Sequence, residues 1–158
     1  MIKHRVAMPV AAPIDVAWRE YLSPQSRLKW MIGLYRREQM QGQPEEVGSK
    51  AQYVYDENGE ALFMEEEVLE SIEQKLYVTV QRHPDMHVRY KTFFTVIEDK
   101  TYLIAEIEIY MTRFWGRLFE PLLLPKIRLR QEADITQYKN WVEKSWAKPA
   151  SSRSPNQV

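Results

Sequence analysis

Residues 101–146 read TYLIAEIEIYMTRFWGRLFEPLLLPKIRLRQEADITQYKNWVEKSW, and the hydrophobic period changes once within them. Leu103, Ala105, Ile107, Ile109 and Met111 form one register, and Tyr102, Glu106, Glu108 and Tyr110 fall in the other. This is the two-residue repeat of a strand with one buried face. Further on, Ile127, Gln131, Ile135, Tyr138 and Val142 recur at spacings of four, four, three and four, one continuous stripe along a helix. Pro121 and Pro125 interrupt the pattern early. The spacing therefore predicts a short segment at 114–124 and a long helix over 125–146, with Pro125 in a first turn where its missing N–H has no partner to lose.

Upstream of this stretch the strand period dominates. Alternation predicts strands near 34–41, 49–55, 61–70, 75–83, 86–97 and 101–112. Asp56-Glu57-Asn58-Gly59 is a hairpin turn, because Asn-Gly accepts the positive φ angles such turns need. His83-Pro84-Asp85 and Glu98-Asp99-Lys100 mark two more tight returns, and short links favour antiparallel neighbours. A further strand at 2–10 opens the chain. Two short helices follow it, the first presenting Val16, Trp18, Tyr21 and Leu22, the second over 25–32 with Leu28, Trp30 and Met31 turned inward. The fold class is α+β: a curved antiparallel sheet of six to seven strands wrapped around a long C-terminal helix. Residues 1–147 make one domain, and the Ser/Pro-rich 148–158 reads as a disordered tail.

A sheet with one apolar face must cover that face, and the C-terminal helix is the only long element left to do so. Its stripe is roughly 100° wide, narrower than the concave face of a twisted sheet. Large side chains must fill the difference, or a hollow remains.

Several local patterns carry a family resemblance. They are Pro13-Ile14-Asp15-Val16-Ala17-Trp18 opening the first helix, Val47-Gly48-Ser49-Lys50 entering a strand, Glu66-Glu67-Val68, Thr101-Tyr102-Leu103, and Gly116-Arg117-Leu118 with Pro121-Leu122-Leu123-Leu124 before the final helix. With the element order, they resemble the SRPBCC, or START-like, superfamily with its helix-grip fold, nearest its polyketide cyclase/dehydrase-like branch. The resemblance covers residues 1–146 and implies a cavity between sheet and helix that takes a hydrophobic or lipid-like ligand. It implies no single chemistry, since a fold hosts many functions.

Alternation then nominates the lining. Met64 and Glu66 come from 61–70, where Leu62, Met64, Glu66 and Val68 are read as inward. Val78 comes from 75–82, where Leu76, Val78 and Val80 share a face. Tyr90, Thr92 and Phe94 share their register with Met86, Val88 and Val96, and Ala105 and Ile107 come from the last strand. Leu124, Ile127 and Gln131 represent the helix. Tyr90, Thr92 and Gln131 are the polar handles of an otherwise aliphatic and aromatic wall, which suits an apolar molecule with one polar end. An enzyme reading, a cyclase, dehydratase or hydrolase, needs a carboxylate in the hollow, and Glu66, Glu106 and Glu108 are its candidates. With Asp56, Glu57, Glu60, Glu65, Glu67 and Glu70 around it, Glu66 also reads as part of a solvated acidic edge. A third reading is a quinone or lipid chaperone at a membrane. Segment 113–130 interleaves Arg113, Arg117, Lys126, Arg128 and Arg130 with Phe114, Trp115, Leu118, Phe119 and Leu122–Leu124, a composition that can meet an anionic surface weakly.

Composition bounds the rest. Among 158 residues, 22 basic and 22 acidic side chains cancel, which argues against a polyanion binder and sets nucleic acid aside. The chain has no cysteine, so thiolate metal sites and cysteine nucleophiles are excluded. His83, His87 and Asp85 could hold a metal only weakly, and a surface turn is the plainer reading. No glycine-rich phosphate loop or GxSxG elbow occurs, so neither a cofactor nor a metal is expected. No apolar run reaches the roughly 18–20 residues of a membrane span. The expectation is a cytoplasmic protein, monomer or homodimer.

Overall fold

The computed structural model describes residues 1–147, with Trp115 described by its backbone only; the tail at 148–158 lies outside the described residues. Strand β1 (Ile2–Val10) leads into helices α1 (Ile14–Leu22) and α2 (Pro24–Trp30). Pro24 forces the break between the helices, and the Ser23 side chain caps α2 by accepting from the Ser26 N–H at 3.4 Å. Strands β2 (Leu34–Gln41), β3 (Lys50–Glu57), β4 (Glu60–Ile72), β5 (Leu76–His83), β6 (Met86–Ile97) and β7 (Lys100–Met111) follow, then α3 (Phe114–Leu118) and α4 (Glu120–Trp146). All seven strands form one antiparallel sheet in the order β1-β7-β6-β5-β4-β3-β2. The β3–β4 hairpin turns on Asn58 and Gly59, both at positive φ, and Asp56 accepts from the Gly59 N–H at 2.7 Å.

Helix α4 does not lie centrally over the sheet. It runs along β1 and against α1 and α2, and Lys139 donates to the Pro9 carbonyl at 3.0 Å. The C-terminal half of its stripe is tightly filled. Tyr138 meets Tyr21 and Trp30 edge-on at 5.4 and 5.3 Å between ring centres, and Trp18 meets Phe94 at 5.3 Å. The N-terminal half of α4 faces β3–β7 across a gap, and there the mismatch in width remains open.

Three expectations change. The long helix begins at Glu120 rather than 125, so Pro125 sits inside it and Pro121 takes the first turn. One missing N–H in the second turn forfeits a single bond, to the Pro121 carbonyl, and the helix continues. In α2, Leu28 is exposed while Ser26, Arg27 and Trp30 are buried. The short helix turns its Arg27 face inward because a buried carboxylate waits there. In β5, the inward register is Tyr77, Thr79 and Gln81, not Leu76, Val78 and Val80. Val78 is wholly buried, but on the convex side, where Lys91 and Glu70 flank it across the sheet. A central strand covered on both faces shows no polarity contrast. Long neighbouring stems shield its outer valines.

Candidate functional site

Each central element carries three inward stations in succession, and they change character along the strands. At the first station the side chains are aliphatic: Leu62 and Met64 of β4, Met86 and Val88 of β6, Ile109 and Met111 of β7, Leu123 and Ile127 of α4, with Met31 beyond α2. They line a partly open cavity of about 380 Å³. Methionine's flexible, polarizable chain adapts to ligands of differing shape. At the second station the groups are polar: Glu66, Thr79, Gln81, Thr92 and Gln131, with Ala105 leaving room. Around them lies an annexe of about 30 Å³, and Met31, Gln81, Tyr90, Gln131 and Asp134 wall both chambers. At the third station aromatic rings close the interior.

The structure thus brings Met64, Tyr90, Ile107, Ile127 and Gln131 together around the main cavity, and Glu66, Thr92 and Ala105 around the annexe. Three expected residues stand elsewhere. Val78 faces the convex side, as described. Phe94 points inward but is taken up by Trp18 and Tyr21. Leu124 packs at the edge of the core without lining the cavity. Because α4 starts a turn earlier than expected, Leu123 rather than Leu124 stands four residues before Ile127 on the stripe. Tyr55, Glu57, Gln81, Arg130 and Asp134, which the apolar alternation and the apolar stripe pass over, also line the cavity. The polarity of most of them mimics a solvated register, and the i+4 spacing from Arg130 to Asp134, beside Ile127 and Gln131, is a signal for the two helix residues alone.

Glu66 is 2% exposed, so it does not belong to a solvated acidic edge. Arg27, itself 4% exposed, lies 3.3 Å from one Glu66 oxygen. The Tyr53 hydroxyl donates to the other at 2.9 Å, and Gln81 Nε2 donates at 3.2 Å. Arg27 and Arg37 donate in turn to the Tyr53 hydroxyl at 2.7 and 3.1 Å. Burial outweighs Arg27 and pushes Tyr53 up to about 12, which keeps it a hydroxyl donor. Glu66 is therefore a held carboxylate, bonded on both oxygens. Glu106 and Glu108 lie on the convex face beside Arg5 and Lys3, at 3.8 and 3.6 Å, and do not reach the cavity with their side chains.

Asp134 is the carboxylate at the junction of the chambers. One of its oxygens accepts from the Ile32 N–H at 2.8 Å. Burial raises its pKa to about 6, against the opposing pull of that N–H and of Arg130. Arg130 pairs with Glu57 and donates to the Ile32 carbonyl at 2.7 Å. Arg130 and Asp134 together pin the link between α2 and β2 to α4. Among the described residues no group of His, Cys, Asp and Glu could hold a metal ion, and no helix is long and apolar enough to cross a membrane.

Solved structures share this architecture over nearly the whole chain. TTHA0849 from Thermus thermophilus superposes with a TM-score of 0.74 at 14% identity, covering 90% of this chain and 98% of that one. Ara h 8.0201 gives 0.73 at 9% identity, covering 90% and 97%. DynU16, a putative protein in the dynemicin biosynthetic locus, gives 0.67 at 14% identity over 92% of this chain and 49% of its own. The chain has the helix-grip fold. No family model matches the sequence, and no curated protein does. At these identities the likeness carries the grip itself, and the ligand must be read from the residues of this cavity.

Proposed function

We propose that this helix-grip protein binds and carries a hydrophobic small molecule or lipid-like ligand in the hollow between sheet and α4. The observation that carries the reading is the cavity of about 380 Å³, apolar along most of its wall. Well-packed interiors leave few voids larger than a water, so a hollow of this size bounded by Met, Ile, Leu and Val is a place for another molecule. Nile red, a neutral apolar dye, should bind to the purified protein with a blue shift and micromolar or tighter affinity. Native mass spectrometry of freshly purified protein should show a co-purified mass. No dye binding at tens of micromolar protein and no added mass would end this reading.

An enzyme reading has one observation behind it, Asp134, a cavity carboxylate with a pKa raised to about 6, the property of a general base. The three histidines do not line either chamber. A third reading, delivery at a membrane, draws on the exposed Leu118, Phe119, Leu122 and Leu129, just before α4 and in its N-terminal half. Arg130 does not share in that surface, being engaged by Glu57 and Ile32. Flotation with phosphatidylserine vesicles at low salt tests it, and protein left at the bottom of the gradient rules it out.

A further inference from the structure

The charges along the two chambers do not balance, and the imbalance bears on the ligand's polar end. Arg27 is matched by Glu66 at 3.3 Å, and Arg130 by Glu57. Glu106 borders the annexe as well, and its carboxylate is matched by Arg5 at 3.8 Å. Asp134 is left as the surplus. No cation along the wall lacks a carboxylate, so a ligand carboxylate or phosphate would enter desolvated and unpaired.

Two hydrogen-bond acceptors on the wall bear on the same question. Gln131 Nε2 donates to the Ala105 carbonyl at 3.1 Å, which fixes the amide's orientation because a carbonyl can only accept. Its Oε1 is buried with no donor among the described residues. One Asp134 oxygen takes the Ile32 N–H, and the other receives no hydrogen bond from the described residues. Both groups wall the main cavity and the annexe. Two such acceptors favour a ligand end that donates. Tyr90, at the same junction, has a hydroxyl free to bond with it, and Trp30 Nε1 is an unpartnered donor on the annexe.

We propose that the cavity selects apolar molecules ending in a hydroxyl or amino group and discriminates against carboxylates and phosphates. Gln131 and Asp134 accept from that group, and the Tyr90 hydroxyl donates to it when it is an alcohol or phenol. The inference rests on the hydrophobic-ligand reading above and adds the chemistry of the ligand's end.

Displacement of Nile red from the intact chain by decanol, decylamine and decanoate, near neutral pH and below their aggregation limits, separates the two. The three share one alkyl chain and differ at the end. Decanol and decylamine should displace the dye at concentrations about tenfold or more below decanoate. Asp134→Asn should shrink decylamine's advantage over decanoate by about tenfold, and Gln131→Leu should weaken decanol. Decanoate displacing as well as decanol and decylamine would overturn the selectivity while leaving apolar binding intact. Failure of the wild-type chain to bind Nile red would overturn both.

Discussion

At the scale of single residues, the two carboxylates of the interior, Asp134 and Glu66, have different neighbours. Asp134 has one N–H partner and the pull of the Arg130 guanidinium, too little to offset burial, so its pKa rises from 3.8 to about 6. Below about pH 4 it is protonated folded and unfolded alike. Between the two values the folded chain holds a proton that the unfolded chain has released, so stability falls as pH rises through that window. The loss amounts to about 3 kcal/mol by the time pH exceeds the folded value. Asp134→Asn keeps an oxygen for the Ile32 N–H and removes the titration. Urea unfolding at about pH 4 and about pH 7 should show the variant gaining on wild type at the higher pH. An unchanged difference would contradict the assignment. Glu66, in contrast, has Arg27, Tyr53 and Gln81 around it. Glu66→Leu strands a buried guanidinium and should cost about 3–5 kcal/mol. Adding Arg27→Met should recover most of that in the same urea assay. A single variant within about 1 kcal/mol of wild type would mean that Arg27 reaches water.

Among the elements, α4 departs furthest from its local sequence signals. Pro125 reads as a start and is an interior residue. The turn it would have ended instead carries Leu123 to the cavity. Replacing Pro125 with Ala restores one backbone bond and relieves the ring's contact with the preceding turn, and should raise stability by about 1–3 kcal/mol. A differential scanning calorimetry midpoint at or below wild type would show that the helix is shaped around the proline. The β5 register failed for a different reason. Its inner side holds Thr79 and Gln81, polar because they serve the annexe, and its outer side holds Val78 and Val80, apolar because a central strand is covered on both sides. In β4 the alternation was truthful: Met64, Glu66 and Val68 are buried as read, up to a register shift between Val68 and Glu70.

At the scale of the whole molecule, the interior is solid at one end and hollow at the other. Rings from α1, α2, β5, β6 and α4 fill the first, and unbranched or aliphatic chains merely fringe the second. Ile107→Trp places a ring in the hollow. The variant should hold or gain stability by about 0.5–2 kcal/mol, as cavity-filling changes do, and should bind Nile red about tenfold more weakly. A large destabilisation, read by urea unfolding, would mean the space is smaller than the walls imply.

The alternating strands, the hairpin at Asn58-Gly59 and the stripe from Ile127 to Val142 are local facts of the chain, since period and turn chemistry follow from neighbouring residues alone. They suffice for an antiparallel sheet gripping a helix, and for Met64, Tyr90, Ile107, Ile127 and Gln131 facing one interior. Which half of that interior stays empty was decided only in three dimensions, by the helix settling along β1 and by aromatic rings from distant segments meeting at one end. The partners of Glu66 and the surplus of Asp134 belong there too. A carboxylate taken out of water is legible only beside its partners, and here the groups bonded to Glu66 lie from 13 to 39 residues away and the N–H bonded to Asp134 lies 102 away.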